Sequence, residues 1–282
     1  MTPYTLNIRG TLHTYSEPAV MAILNITTDS FYSQSRTPSS AAEISRRAEA
    51  LIEQGASFID IGAYSTRPGA GDIPVDEETR RIVMAAEAVR RVSGDIPVSV
   101  DTFRASVARA AVEAGADIIN DISGGLFDSE MLPTVASLRV PYILMHLRGS
   151  SPAEMHSPQT YAHPAAEILA ETARRIDAAR SAGIADIIAD PGFGFSKNLD
   201  QNYNLLAHLG QFRTLECPLL VGISRKSMAT RLLGITADEA LNATTVLNTL
   251  ALERGAAILR VHDPAPALEA IKIHLALLNN LS

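Results

Sequence analysis

Acidic, amide and cationic side chains recur along this chain at the ends of short apolar runs. Asn25 closes AILN, Arg67 lies in STRPG, Asp101 closes VSVD and Asn120 sits in IIND. Asp190 closes IIAD and opens PGFGF, Lys226 lies in SRKS, and Arg260 and His262 stand two apart in RVHD. The set divides by charge. Asp101, Asn120 and Asp190 offer acceptors or a mixed amide, whereas Arg67, Lys226, Arg260 and His262 are cationic or can become so. Arginine matches phosphate oxygens through a bidentate fork, so the cationic half suits phosphate or diphosphate. The acidic half suits a ligand edge rich in N–H donors, such as an aminopyrimidinone ring. A carboxylate buried without such a partner costs several kcal/mol.

These residues need a scaffold that brings strand ends together. Strands are expected at Val20–Thr27, Phe58–Gly62, Pro97–Thr102, Ile118–Ile122, Tyr142–His146, Ile187–Pro191, Leu219–Ser224 and Ile258–His262, from short β-rich apolar runs. Helical periodicity falls between them, at 41–54, 76–92, 104–114, 161–182, 237–254 and 264–278, with shorter helices near 129–138 and 200–211. A weak repeat, EQGASFIDIG, EAGADIINDI, SAGIADIIADP and ERGAAILRVHD, ends each helix in glycine before a strand opens. Glycine there closes a helix in the left-handed conformation. Strict alternation implies right-handed βαβ crossovers and parallel strands. The expected class is therefore α/β, as one (β/α)8 TIM barrel domain over 1–282, with a hairpin from YTLNIRG and TLHTY ahead of it. An open doubly wound sheet is the alternative, because sequence does not reveal closure.

In a barrel, function gathers at the carboxyl ends of the strands. A polar residue at one strand end is ordinarily a helix cap, which suits Thr102, Asp121, Ser123 and Asp263. Polar groups at every strand end exceed what capping requires. Period-two alternation also puts Arg260 and His262 on one side of their strand, where one anion can meet both. His13, His156, His163, His208 and His274 occur singly and read as surface or locally bonded residues. No phosphate loop of the GxxxxGK[ST] type and no HExxH zinc motif is present.

Composition narrows the classes. The 282 residues are 46% hydrophobic and 20% charged, and 24 Lys+Arg against 31 Asp+Glu give a net charge of −7. That balance disfavours a nucleic-acid binder. One cysteine, Cys217, excludes an internal disulfide and suits a reducing cytoplasm. Neither a signal peptide nor an apolar run of about 18 residues is seen, so export and membrane insertion are not expected. The sequons at Asn25 and Asn242 read as chance.

At these residues the chain closely resembles the dihydropteroate synthases, folate-pathway enzymes inhibited by sulfonamides. MAILNITTDSF, DIGAYSTRPGA, VSVDTF, IINDISGG, MHLRGSSP, IIADPGFGFSKN, VGISRKS and RVHD follow one another collinearly over almost the whole chain. The resemblance implies a dimeric barrel enzyme that condenses (7,8-dihydropterin-6-yl)methyl diphosphate with 4-aminobenzoate. By matching position, Asp101, Asn120, Asp190 and Lys226 bind the pterin, with Met145 and Phe195 along its ring. Asn25 ligates Mg²⁺ with the diphosphate, while Arg67, Arg260 and His262 hold its oxygens. Thr66, Pro68, Lys226 and Ser227 border the 4-aminobenzoate site. Asp101, Lys226 and Arg260 are the expected catalytic residues, in an SN1-like reaction through a dihydropterin cation.

The first loop departs from the family pattern: Thr28 stands where proline is common, Tyr32 for a serine and Ser33 for an aspartate. Asp29 and Phe31 remain. The substitutions leave room for a catalytically silent pterin-binding paralogue, and the fold leaves room for a corrinoid methyltransferase. Against the latter stand SRKS, STRPG and RVHD, which serve a diphosphate and an arylamine.

Overall fold

A computed structural model describes residues 2–26, 40–64 and 73–280. β1 (Tyr4–Ile8) and β2 (Thr11–Tyr15) pair antiparallel in the expected hairpin. Arg9 and Gly10 both have positive φ, which suits the turn to the twist of the two strands. Then come β3 (Ala19–Asn25), α1 (Ala41–Glu53), β4 (Phe58–Gly62), α2 (Val75–Val92), β5 (Val98–Asp101) and α3 (Ala105–Glu113). β6 (Ile118–Asp121), α4 (Met131–Leu138), β7 (Tyr142–Met145), α5 (Pro164–Ser181), β8 (Ile187–Asp190) and α6 (Leu199–Ala207) follow. The chain ends with β9 (Leu220–Val221), α7 (Ser227–Leu233), α8 (Leu241–Glu253), β10 (Ile258–Val261) and α9 (Pro264–Leu278).

The strands form one parallel sheet in the order β8-β7-β6-β5-β4-β3-β10-β9. A parallel bridge between Ala189 and Leu219 joins β8 to β9 and closes the ring. This is a TIM barrel, and the open-sheet alternative is set aside. Gly55, Gly115, Gly183 and Gly255, at the ends of the repeated segments, all take positive φ, between 92° and 104°.

Alternation along the strands gives the interior two kinds of layer. The lower one is apolar: Met21, Phe58, Ile118, Ile143, Ile188, Leu220 and Ile258 cluster with Leu6 and Ile8, so the hairpin plugs that end. Further up the strands the same face becomes polar in part: Asp60, Asn120, Asp190 and Arg260 follow Phe58, Ile118, Ile188 and Ile258 by two residues. Asn25, Gly62, Asp101 and Asn120 are lateral partners in register across β3 to β6. The outward faces pack on the helices, as with Leu24, Ile61 and Val100 against Ile44, Leu51 and Ile82.

Two helix expectations need correction. The segment expected to be helical from 237 starts at Leu241, and a short helix, α7, precedes it. Gly234 at φ +67 stops α7, and Thr236 bonds Glu239 in a local turn before α8. Leu232 and Leu233 are exposed, so α7 lacks the apolar stripe that marks a helix in sequence. The helix expected from Tyr161 begins at Pro164, because the residue before proline avoids the helical region.

Candidate active site

At the carboxyl ends of the strands lies a cavity of about 540 Å³. Its walls include Asn25, Asp101, Asn120, Met145, Asp190, Phe195, Lys226, Ser227, Arg260 and His262, ten residues expected from the sequence. Thr66, Arg67 and Pro68 lie outside the described residues, as do Thr28, Asp29, Phe31, Tyr32 and Ser33 of the first loop.

Arg260 rises from β10 into the centre of the mouth. Its guanidinium donates to Asp60 at 2.6 Å and to Asp101 at 2.9 Å. Burial opposes its charge, but Asp60 and Asp101 outweigh that penalty and raise its pKa above the ordinary value. Asn120 joins the group by donating from Nδ2 to Asp60 at 3.2 Å. Asp60, fully buried in the middle of β4, did not emerge from the sequence as a site residue. Its signal was a carboxylate inside the apolar run FIDIG, on the same face as Phe58 and Gly62.

Asp101 pairs with Arg260, yet burial and the nearby Asp60 push its carboxyl up to about 7. A cation arriving beside it would favour the ionised form. Gly62 makes room for this group: a side chain there would lie 3.3 Å from Oδ1 of Asn25 and 3.8 Å from Cβ of Asp101. Asn25 thus projects its amide oxygen over the same corner of the mouth.

Asp190 ends β8, and its Oδ1 accepts from the backbone N–H of Gly192 at 2.8 Å. Burial raises its pKa, against the pull of Lys226 and that N–H. In the loop that follows, Gly192 and Gly194 take φ of +72° and +82°, and Ser196 +48°. A Cβ on Gly192 would run into the carbonyl oxygen of His146, so glycine is required there. The loop presents Phe195 to the cavity, and the Lys226 ammonium sits 4.5 Å from that ring's centroid, within cation–π range. Lys226 also donates to the Phe193 carbonyl at 2.6 Å. Burial lowers its pKa to about 8, in spite of Asp190. Met145, Ile122, Phe103, Leu147 and Met155 pack with Phe195 into an apolar collar beside these charges.

His262 lines the cavity as expected, and of the charge states the sequence left open it holds the neutral one. Burial first, and Arg260 second, pull its pKa down to about 3, which leaves a neutral ring at neutral pH. Ser224 Oγ lies 3.0 Å from Nδ1 and accepts from the His262 backbone N–H at 3.2 Å. Asp263, expected to cap α9, makes no side-chain cap and instead forms a two-pronged ion pair with Arg225 at 2.8 and 3.0 Å. That pair ties SRKS to RVHD. His156, expected to lie apart from the site, stands in its wall, stacked on Phe195 at 5.0 Å between centroids.

Lys197 was also missed, since FSKN reads as an ordinary polar loop. It lines the cavity and is buried. Its Nζ donates to Gly192 O at 2.9 Å, Phe195 O at 3.0 Å and His146 Nδ1 at 3.2 Å. The His146 ring therefore carries its proton on Nε2, which donates to Glu171 at 2.9 Å.

Residues 21–262 match the family model described as pterin binding enzyme. The chain is 40% identical over 267 residues to the dihydropteroate synthase of Escherichia coli K12, covering 94% of this chain and 93% of that protein. The chain belongs to the dihydropteroate synthase family of pterin-binding enzymes. Solved structures of dihydropteroate synthases have the same architecture. One, from Xanthomonas albilineans with 4-aminobenzoic acid, superposes with a TM-score of 0.89 at 38% identity, over 98% of this chain and 99% of that one. Another, from Burkholderia cenocepacia complexed with 7,8-dihydropteroate, gives 0.88 at 36% identity, over 100% and 99%.

Proposed function

We propose that this protein is a dihydropteroate synthase, joining (7,8-dihydropterin-6-yl)methyl diphosphate to 4-aminobenzoate with release of diphosphate. The observation that carries the reading is one cavity lined both by Asp101, Asn120 and Asp190 and by Lys226, Arg260 and His262. Relatives caught with an arylamine acid and with the condensed pterin product support it.

Asp190 accepts from the pterin N3–H and 2-amino group, and Asn120 meets the neighbouring amino edge. Lys226 donates to the ring oxygen, and the ring lies along Met145 and Phe195. Arg260, with Arg67 and the neutral donor or acceptor of His262, receives the phosphate oxygens. Asp60 already holds one side of Arg260, so the guanidinium is oriented before the substrate arrives. The bond from the pterin methylene carbon to the diphosphate oxygen then breaks, and its electron pair leaves on oxygen. The resulting cation is delocalised into the dihydropterin, where the Asp101 carboxylate stabilises it. A preorganised group of this kind is worth roughly 2.7–4 kcal/mol, or about 10²–10³ in rate. The amine lone pair of 4-aminobenzoate, bordered by Thr66, Pro68, Lys226 and Ser227, forms the new C–N bond, and the nitrogen releases its proton to solvent.

Among the described residues, no group of three or more His, Cys, Asp or Glu side chains could hold a metal. Mg²⁺ bound through substrate phosphates needs only one or two protein oxygens beside its waters, and the amide oxygen of Asn25 fits that donor set. Asn25 would hold the ion, whose bound charge would make the diphosphate a better leaving group. The reading also places the protein in the cytoplasm as a homodimer. Its single cysteine suits the first, and apolar side chains exposed on α8 and α9, among them Leu250, Ile273 and Leu277, suit the second.

Chromatography of a reaction containing both substrates and Mg²⁺ should yield 7,8-dihydropteroate in a one-to-one ratio with diphosphate. Diphosphate without the coupled pterin would contradict the proposal.

A further inference from the structure

We propose that Lys197 is a positioning residue for pterin recognition, the post around which the loop after β8 is wound. The proposal rests on the synthase reading for the identity of the ligand and on the geometry for everything else. Three hydrogen-bond acceptors, Gly192 O, Phe195 O and His146 Nδ1, converge within 3.2 Å on the buried Nζ of Lys197, whose pKa burial lowers to about 7. The two carbonyls come from the loop itself, which takes left-handed backbone at Gly192, Gly194 and Ser196. The segment forms neither helix nor strand; Gly192 O also accepts from the Phe195 N–H at 3.2 Å, within the loop itself. The Nζ of Lys197 supplies donors that a helix or sheet would otherwise provide.

The same loop fixes site groups. The Gly192 N–H holds the Asp190 carboxylate, Phe193 O holds the Lys226 ammonium, and Phe195 forms part of the wall. These are groups assigned to the pterin, whereas Arg260 and His262, assigned to the diphosphate, stand on β10 and its end. Loss of Lys197 should therefore loosen one half of the ligand and spare the other. His146 supports the post from behind: Glu171 accepts from Nε2, which leaves Nδ1 unprotonated and facing Lys197.

Calorimetric titration of the full-length protein with the pterin diphosphate and, separately, with inorganic diphosphate tests this, alongside turnover of both substrates. Lys197→Met should weaken the pterin diphosphate roughly tenfold and leave inorganic diphosphate within about twofold, as expected when charge-assisted contacts are lost on one side only. NMR of the His146 ring should keep the Nε2–H tautomer held by Glu171 and show a shifted Nδ1 resonance as the Lys197 donor is lost. Equal weakening of both ligands, or no weakening of either, would overturn the proposal. Should Lys197→Met not fold, Lys197→Arg decides, because a planar fork does not place its donors on one atom. Wild-type affinity for the pterin diphosphate in that variant would equally overturn it. A wild-type protein that binds the pterin diphosphate but does not turn over would remove the synthase reading and leave this inference standing.

Discussion

Arg260, in the cavity wall, is paired with the buried Asp60: the guanidinium donates at 2.6 Å to a carboxylate with no exposed surface, 200 residues earlier in the chain. The pair fixes the direction in which the fork faces an incoming phosphate. Asp60→Ala leaves Arg260 with Asp101 alone and strips Asn120 of its acceptor. Breaking a buried pair from one side costs about 3–5 kcal/mol, and the retained Asp101 contact puts this case near the lower end. Denaturant unfolding should show that loss, and kcat/KM for the pterin diphosphate should fall. A variant with unchanged stability and kinetics would show that Arg260 is held by Asp101.

The barrel itself was legible because each strand is a short apolar run and each repeated segment ends its helix in a glycine. Asn25, Asp101 and Asp190 were legible because each ends an otherwise apolar strand, and Asn120 and Arg260 because each stands one residue before such an end. Asp60 was hidden by the opposite circumstance: it lies within FIDIG, and its partner Arg260 is distant in sequence. Lys197 was hidden because its acceptors are backbone carbonyls and a ring nitrogen, which leave no pattern of residue types. That the His262 ring is neutral was not legible, since burial and proximity to Arg260 are properties of the fold. α7 escaped because its leucines face solvent.

The pH dependence of catalysis should follow Asp101 and Lys226. Asp101 acts as the carboxylate, the form that predominates above about 7, where burial has pushed its pKa. Lys226 acts as the ammonium, the form that predominates below about 8, where burial has lowered it. Accordingly, kcat/KM should rise with pH through about 7 and fall through about 8, a narrow bell that reports the free enzyme. Asp101→Asn should flatten the acidic limb and lower the plateau by about 10²–10³. A wild-type profile flat from pH 6 to 9 would contradict both assignments.

The hairpin plug gives a prediction of the opposite kind. Leu6 is 1% exposed and packs with Met21, Phe58 and Ile258 at the end of the barrel away from the cavity. Leu6→Ala should cost about 2–5 kcal/mol in denaturant unfolding, the usual range for emptying a buried leucine site. Both KM values should stay at their wild-type levels. A changed KM without a stability loss would mean that the two ends of the barrel are coupled.

The synthase assignment depends on the acidic and cationic groups of one cavity acting on two substrates at once. Its most direct test is the rate of diphosphate release by the wild-type protein from the pterin diphosphate with Mg²⁺, measured with and without 4-aminobenzoate. Release that appears only with the arylamine, saturates with it and matches 7,8-dihydropteroate formation is the predicted result. Release that is absent, or the same with the arylamine omitted, would contradict the account.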